Sequence, residues 1–269
     1  MTGGSDPGFR LFRAFIFVFL AALILLPLAQ SIMLSFTATL PHDDVAQGQI
    51  SLINYRNIFA TPALTASIVN SLIYVLLNVG LCLLVGLPAA YAFSRYRFAG
   101  DRHFLFLLLA FRVTPPVVLS LPIFILFAKF NLVNSPVGIA LVHCLFNLPI
   151  AIWILESFIS SVPREFDETA FIDGHSLPGF FTRHLIPAIA PGIGVAAFFC
   201  FIFSWVEVVF ARILTVTAGK PVTMAINALF SFQTDIGLVM AMTMFSLLPG
   251  LLMLYFVRNH IARGFVIKT

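Results

Sequence analysis

Six uninterrupted apolar runs, at roughly 14–36, 71–94, 104–127, 137–159, 188–211 and 237–258, constrain this chain more than any other feature. Each supplies the ~20 residues a helix needs to cross a hydrocarbon core of ~30 Å with every backbone N–H and C=O paired inside the segment. The runs are continuous, with none of the period-two alternation of a membrane β-barrel. Of the 269 residues, 60% are apolar and 10% charged, where a soluble domain is about a quarter charged. The expectation is an all-α membrane protein with six transmembrane helices, a single transmembrane domain over 1–269.

The net charge of +4 reflects topology, not nucleic-acid affinity. With both termini inside, the inner segments hold Arg10, Arg13, Arg95, Arg97, Arg102, Arg164, Arg183, Arg258, Arg263 and Lys268. The outer ones hold Arg56, Lys129, Arg212 and Lys220, and Arg112 is left within a span. Ten basic residues against four predict N-in, C-in. The first run is too long for a signal-peptide core and lacks a small-residue cleavage site, so it reads as an uncleaved span. Cys82, Cys144 and Cys200 all fall within spans, where free cysteines act as small packing residues. No Cys–His spacing points to a metal.

Three segments depart from plain spanning helix. The external loop, 37–70, places Tyr55, Ile58, Phe59 and, past Pro62, Ile68 at spacings that suggest a short amphipathic helix. That helix either lies on the membrane or meets an external partner. The third run, "LLLAFRVTPPVVLSLPIFILF", carries Arg112, Pro115, Pro116 and Pro122, so it must kink or break where protein or water can meet the freed carbonyls.

The third segment is the cytoplasmic loop 161–187. Its stretch "REFDETAFIDGHSLPGFFTRHLIP" bunches four acids, Glu165, Asp167, Glu168 and Asp173, in ten residues. Ser160 or Ser161 can cap a first helix on which Val162, Phe166 and Ala170 share a face. Gly174 stops it with a left-handed turn. Ser176 caps a second helix with Leu177, Phe181 and Leu185 on one side, and Pro187 ends it. Helices this short are marginal in water alone. An interfacial pair lying passively against the anionic leaflet would carry bases, so the acids favour a protein partner.

These residues resemble a family. Glu168, Ala170, Asp173, Gly174, Ile186 and Pro187 are spaced like the EAA–DG–(I/L)P coupling loop of binding-protein-dependent ABC importer permeases, with Thr169 and His175 departing from the usual pattern. "INYRNIF", "NSLIYV", "LPAAYAFSRYRFAGDR" and "FSWVEVVFARILT" resemble the carbohydrate branch related to the maltose importer. "VTPPVVLSLPIF", "HCLFNLPIAIWILE", "GIGVAAFFCFIFSWVE" and "YFVRNHIARGF" look most like the second permease of glycerol importers.

The resemblance implies a type I ABC importer permease fold with the two-helix loop as the ATPase-coupling element. In that reading Phe166, Glu168, Ala170, Phe171, Asp173, Gly174 and Pro187 carry coupling. The implied partners are a second homologous permease, two ATP-binding subunits and a periplasmic solute-binding protein, in a bacterial inner membrane. The chain has no G-x-x-x-x-G-K-[ST], so no Walker-type cradle. ATP and Mg are expected on the partner ATPase, and this chain carries no cofactor and is not an enzyme.

Polar residues kept within spans are costly and mark pathways or partners. Arg112 and Glu207 either form an ion pair, with each other or across a subunit interface, or line the route of a solute. His143 and Asn147 lie one helical turn apart on one face. They can hydrogen-bond a polyol or, the reading favoured here, a neighbouring helix. Glu156 sits near a span end, where it can pack beneath the loop. Thr114 and Asn78 are further pathway candidates, and Trp205 occupies a position where the family usually has Trp. With Arg112 as the sole basic residue within the spans, a neutral polyol such as glycerol is favoured over a phosphate ester. A self-contained secondary transporter would need inverted repeats and midplane carboxylates, and a membrane enzyme would need a nucleophile–base cluster; the chain shows neither.

Overall fold

A computed structural model describes residues 7–41, 45–97, 100–230 and 234–264, the side chains of 7, 10, 102 and 259–264 excepted. Lys268 and the side chains of Arg10, Arg102 and Arg263 lie outside the described residues, as do residues 42–44 of the 37–70 segment and the end of "YFVRNHIARGF".

The elements are helical throughout: α1 (Pro7–Ser35), α2 (Ile53–Ala60), α3 (Pro62–Arg95), α4 (Asp101–Val113), α5 (Pro116–Lys129), α6 (Pro136–Ser160) and α7 (Arg164–Ile172). There follow α8 (Leu177–Phe180), a π-helical turn (Phe181–Leu185), α9 (Ile186–Ala188), α10 (Ala190–Trp205), α11 (Val209–Leu214), α12 (Val222–Leu229) and α13 (Ile236–Gly264). Among the described residues there is no strand, only an isolated bridge between Thr37 and Ile50. Among the described residues four helices are long and apolar enough to cross a membrane, and up to six spans result if each of two sharply bent helix pairs counts as one.

The contacts divide the chain into two compact units, Met1–Pro62 with Ala228–Leu247, and Ala63–Asn227 with Leu248–Thr269. In the first, Asn54 donates to the carbonyls of Ser35 (3.0 Å) and Thr37 (2.9 Å), closing the turn that follows α1. The Asp235 carboxylate accepts from Thr39 Oγ1 (2.6 Å) and from Leu238 N (3.1 Å), so it caps the start of α13. The expected short helix in 37–70 exists as α2, with Ile58 fully buried and Phe59 edge-on to Phe245. It ends sooner than the spacing suggested. Thr61 is extended before Pro62, and Pro62 opens α3, so Ile68 belongs to that long helix.

In the second unit α6 is the centre, packed most extensively on α10 and also on α4 and α11. Small residues let the helices approach. Gly86 of α3 lies against Leu148, Ala151 and Leu155, and a Cβ at Gly192 of α10 would sit 2.7 Å from Phe158 Cβ. The third apolar run breaks as its prolines require: α4 and α5 meet at 94° across Thr114 and Pro115, both in extended backbone.

The fifth run departs from expectation at both ends. It bends by 83° at Ile189, and it stops at Trp205 instead of running to 211. The stop has a local cause. The Glu207 carboxylate accepts from Phe210 N (2.9 Å) and Ala211 N (3.0 Å), so it starts a new short helix where the old one would have continued.

Candidate functional site: a polar cavity and an acidic loop

Four helices bring polar side chains to one place midway along α6. Arg112, at the end of α4, donates Nη1 to Phe146 O (2.6 Å) and Asn147 Oδ1 (3.2 Å), and its guanidinium stacks 4.1 Å from the centroid of Phe203. Asn147 Nδ2 donates to Asn78 Oδ1 on α3 (3.0 Å), and Asn78 Nδ2 reaches Ala140 O (3.4 Å). One turn away His143 shares Nδ1 with Ser204 Oγ (2.5 Å) and sets Nε2 3.3 Å from Glu207 Oε2. Arg112, His143, Asn147 and Glu207, with Pro116 and the rings of Phe146, Phe203 and Phe210, surround a cavity of about 230 Å³.

This arrangement bears on two readings left open by the sequence. Arg112 and Glu207 face one cavity without pairing to each other: the cation is held by a carbonyl, an amide and a ring, the anion by an imidazole and a helix N-terminus. His143 and Asn147 bridge helices and border the cavity together. Thr114 stands at the α4–α5 break, and Trp205 is buried flat against Phe201 at 5.6 Å; neither is part of the lining. Phe203, Ser204 and Phe210 are functional candidates that sequence reasoning missed. The available signal was spacing, since Phe203 precedes Glu207 by one helical turn.

The second candidate region is the 161–187 loop. It forms two short helices about a turn in which Gly174 has φ +82°, a left-handed conformation that a β-carbon disfavours. Ser176 caps the second helix through Gly179 N (3.4 Å). The expected cap on the first is absent. Ser161 Oγ donates back to Phe158 O (2.7 Å) and Ser160 Oγ to Glu156 (2.8 Å), leaving Pro163 at the α7 cap position. The second helix also turns a different face inward. The π turn adds a residue to the repeat, so fully buried Phe180 and Leu185 lead the contact while Leu177 is exposed. The helix runs through Pro187 and bends at Ile189.

Phe180 is the hub of this loop, with ring centroids of Phe166 at 6.4 Å, Phe171 at 5.1 Å and Tyr91 at 5.9 Å. Phe166 and Phe171 remain about two-fifths exposed, and Glu165, Glu168 and Asp173 face outward. Pro163, Phe166, Thr169, Ala170, Asp173 and His184 line a shallow concavity of about 390 Å³. Asp167, which the motif does not single out, is buried. Its carboxylate accepts from Arg95 Nε (2.7 Å), Arg95 Nη2 (3.1 Å) and Tyr91 OH (3.0 Å), all from the end of α3.

Membrane-length helices, a polar cavity beside α6 and a short acidic helix pair on one loop are the features of a multi-pass membrane protein. Residues 82–266 match the family described as binding-protein-dependent transport system inner membrane component, and the chain belongs to that family. It is therefore the permease component of an importer that works with a binding protein. The trehalose transport system permease of Mycobacterium tuberculosis is 27% identical over 238 residues, 87% of each chain. The sulfoquinovosyl glycerol transport system permease of Agrobacterium fabrum is 32% identical over 161 residues, 60% of this chain and 56% of that one. Among solved structures, a bacterial ABC transporter that imports the acidic polysaccharide alginate superposes with a TM-score of 0.78 at 20% identity, covering 96% of this chain and 98% of the other.

Proposed function

We propose that this chain forms half of an ATP-driven pathway for a small neutral polyol or sugar, with glycerol as the first solute to test. The observation that carries this reading is the cavity beside α6. Its single cation and single anion balance, its amide and imidazole groups both donate and accept, and three aromatic rings supply apolar faces. A hydroxylated neutral solute matches those groups without leaving a buried charge unpaired. The trehalose relative supports a sugar and the sulfoquinovosyl glycerol relative supports a glycerol-bearing one, which keeps sugars, sugar alcohols and glycerol phosphate as the second reading.

In this account a second, similar permease supplies the other half of the pathway. Two ATP-binding subunits carry ATP and Mg, and a periplasmic binding protein delivers solute. The chain is N-in, C-in in the inner membrane, so the 161–187 loop faces the cytosol. Glu168 meets a basic residue of the ATPase, while Phe166, Ala170 and Phe171 supply apolar contact. Uptake of labelled glycerol, sugar alcohols, disaccharides and glycerol phosphate by the reconstituted importer tests the solute. Saturable, ATP-dependent glycerol uptake supports the reading, and transport of the phosphate ester alone overturns it.

A further inference from the structure

The ion pair between Asp167 and Arg95 has no place in the family's loop signature, yet its geometry is the most constrained in the loop. Helix α7 buries only two side chains, Asp167 and Ala170. Alanine offers little to grip, and Phe166 and Phe171 meet Phe180 of the second loop helix, so the polar hold of α7 on α3 is Asp167. The contact is a fork: Nε and Nη2 of Arg95 each reach one carboxylate oxygen, at 2.7 and 3.1 Å, and Tyr91 OH adds a third bond at 3.0 Å. A two-pronged contact fixes angle as well as distance. Both side chains are 8% exposed, so breaking the pair would strand charges out of water.

Arg95 is the last residue of α3, and the same helix carries Asn78. Asn78 lies seventeen residues earlier, about 25 Å away along a helix, where its Oδ1 accepts from Asn147 in the polar network of the cavity. One helix therefore holds the acidic loop at one end and, further along, the side chain of Asn78 that bonds Asn147 behind the cavity lining.

We infer that Asp167 and Arg95 are positioning residues that lock α7 to α3, making α3 the lever by which motion of the loop reaches the cavity. Asp167 is thus separate in role from its neighbour Glu168, which faces outward. The inference rests on the coupling reading above.

The test uses the complete importer, with its second permease, ATPase subunits and binding protein, in proteoliposomes. The readout is ATP hydrolysed per solute imported. Asp167→Asn keeps shape but removes the charge. It is expected to retain the ATPase subunits on purification while raising the ATP spent per solute about tenfold. Asp167→Glu, which keeps the charge, should recover most of that loss. A residue that merely supported folding would lower hydrolysis and uptake together and leave the ratio alone. If Asp167→Asn fails to assemble, Arg95→Lys carries the test, because lysine keeps the charge without the fork; about a threefold rise in the ratio is expected. An unchanged ratio in the variant that assembles, or loss of the ATPases from both variants, overturns the inference. Absence of ATP-driven uptake in the wild type would instead overturn the coupling reading beneath it.

Discussion

The polar cavity beside α6 and the acidic loop at 161–187 handle charge in opposite ways. In the cavity, Arg112 and Glu207 share a space and are each satisfied by something other than the opposite charge, which leaves hydrogen-bonding edges toward the opening. In the loop, Asp167 is consumed by Arg95 in a buried fork while Glu165, Glu168 and Asp173 are left outside. A site for a passing solute needs groups that are held but not saturated. A handle for a partner needs one rigid anchor and a free charged face.

If the two regions do separate work, substitutions should separate uptake from ATPase capture. The largest effect is expected for Glu207→Ala. It leaves His143 and the N–H groups of Phe210 and Ala211 without their acceptor, a loss of about 3 kcal/mol. Uptake should fall about a hundredfold while the ATPase subunits still co-purify, as a pull-down beside a flux assay would record. Next comes Gly174→Val, which forces a β-branched residue to φ +82° at a cost of about 1–2 kcal/mol. Here ATPase recovery on pull-down should drop about tenfold, with solute preference among the residual uptake unaltered. Equal damage to both readouts by either variant would break the division.

Smaller changes sharpen it. Arg112→Lys keeps the charge but loses the stacked plane over Phe203 and the donor geometry to Phe146 O, worth about 1 kcal/mol. Its expected signature is a KM for solute raised about fivefold with ATP hydrolysis intact. The smallest effect is expected for Thr169→Ala, which restores the alanine usual in the coupling signature. Among the described residues Thr169 Oγ1 donates to Glu165 O, one turn back on its own helix, so stability in a thermal melt should change by no more than ~0.5 kcal/mol.

The same contrast explains what the sequence could disclose. The six apolar runs were legible because a bilayer leaves a helix few options, and the break in the third was legible because Pro115 and Pro116 remove backbone donors wherever they stand. Gly174 and Ser176 act on their immediate neighbours, so the turn between the loop helices could be read directly. The stop at Trp205 could not, because it follows from the Glu207 carboxylate, two residues on, taking the N–H groups of Phe210 and Ala211. That Asp167, unlike the other three acids, is buried was hidden for a different reason: its partner lies 72 residues earlier in the chain. The inward face of the second loop helix was misread because a π turn has no compositional mark. Within the spans, Arg112 and Glu207 stood out as costly charges, yet only packing could decide that they border one cavity and do not pair.

The central claim is that this chain moves solute only when an ATP-hydrolysing partner holds its acidic loop. Flux of labelled glycerol into proteoliposomes, with both permeases and the loaded binding protein present and the ATPase subunits either included or withheld, tests it most directly. The account predicts uptake that requires both the ATPase and ATP and that disappears with Gly174→Val. Equal uptake with the ATPase withheld would contradict it.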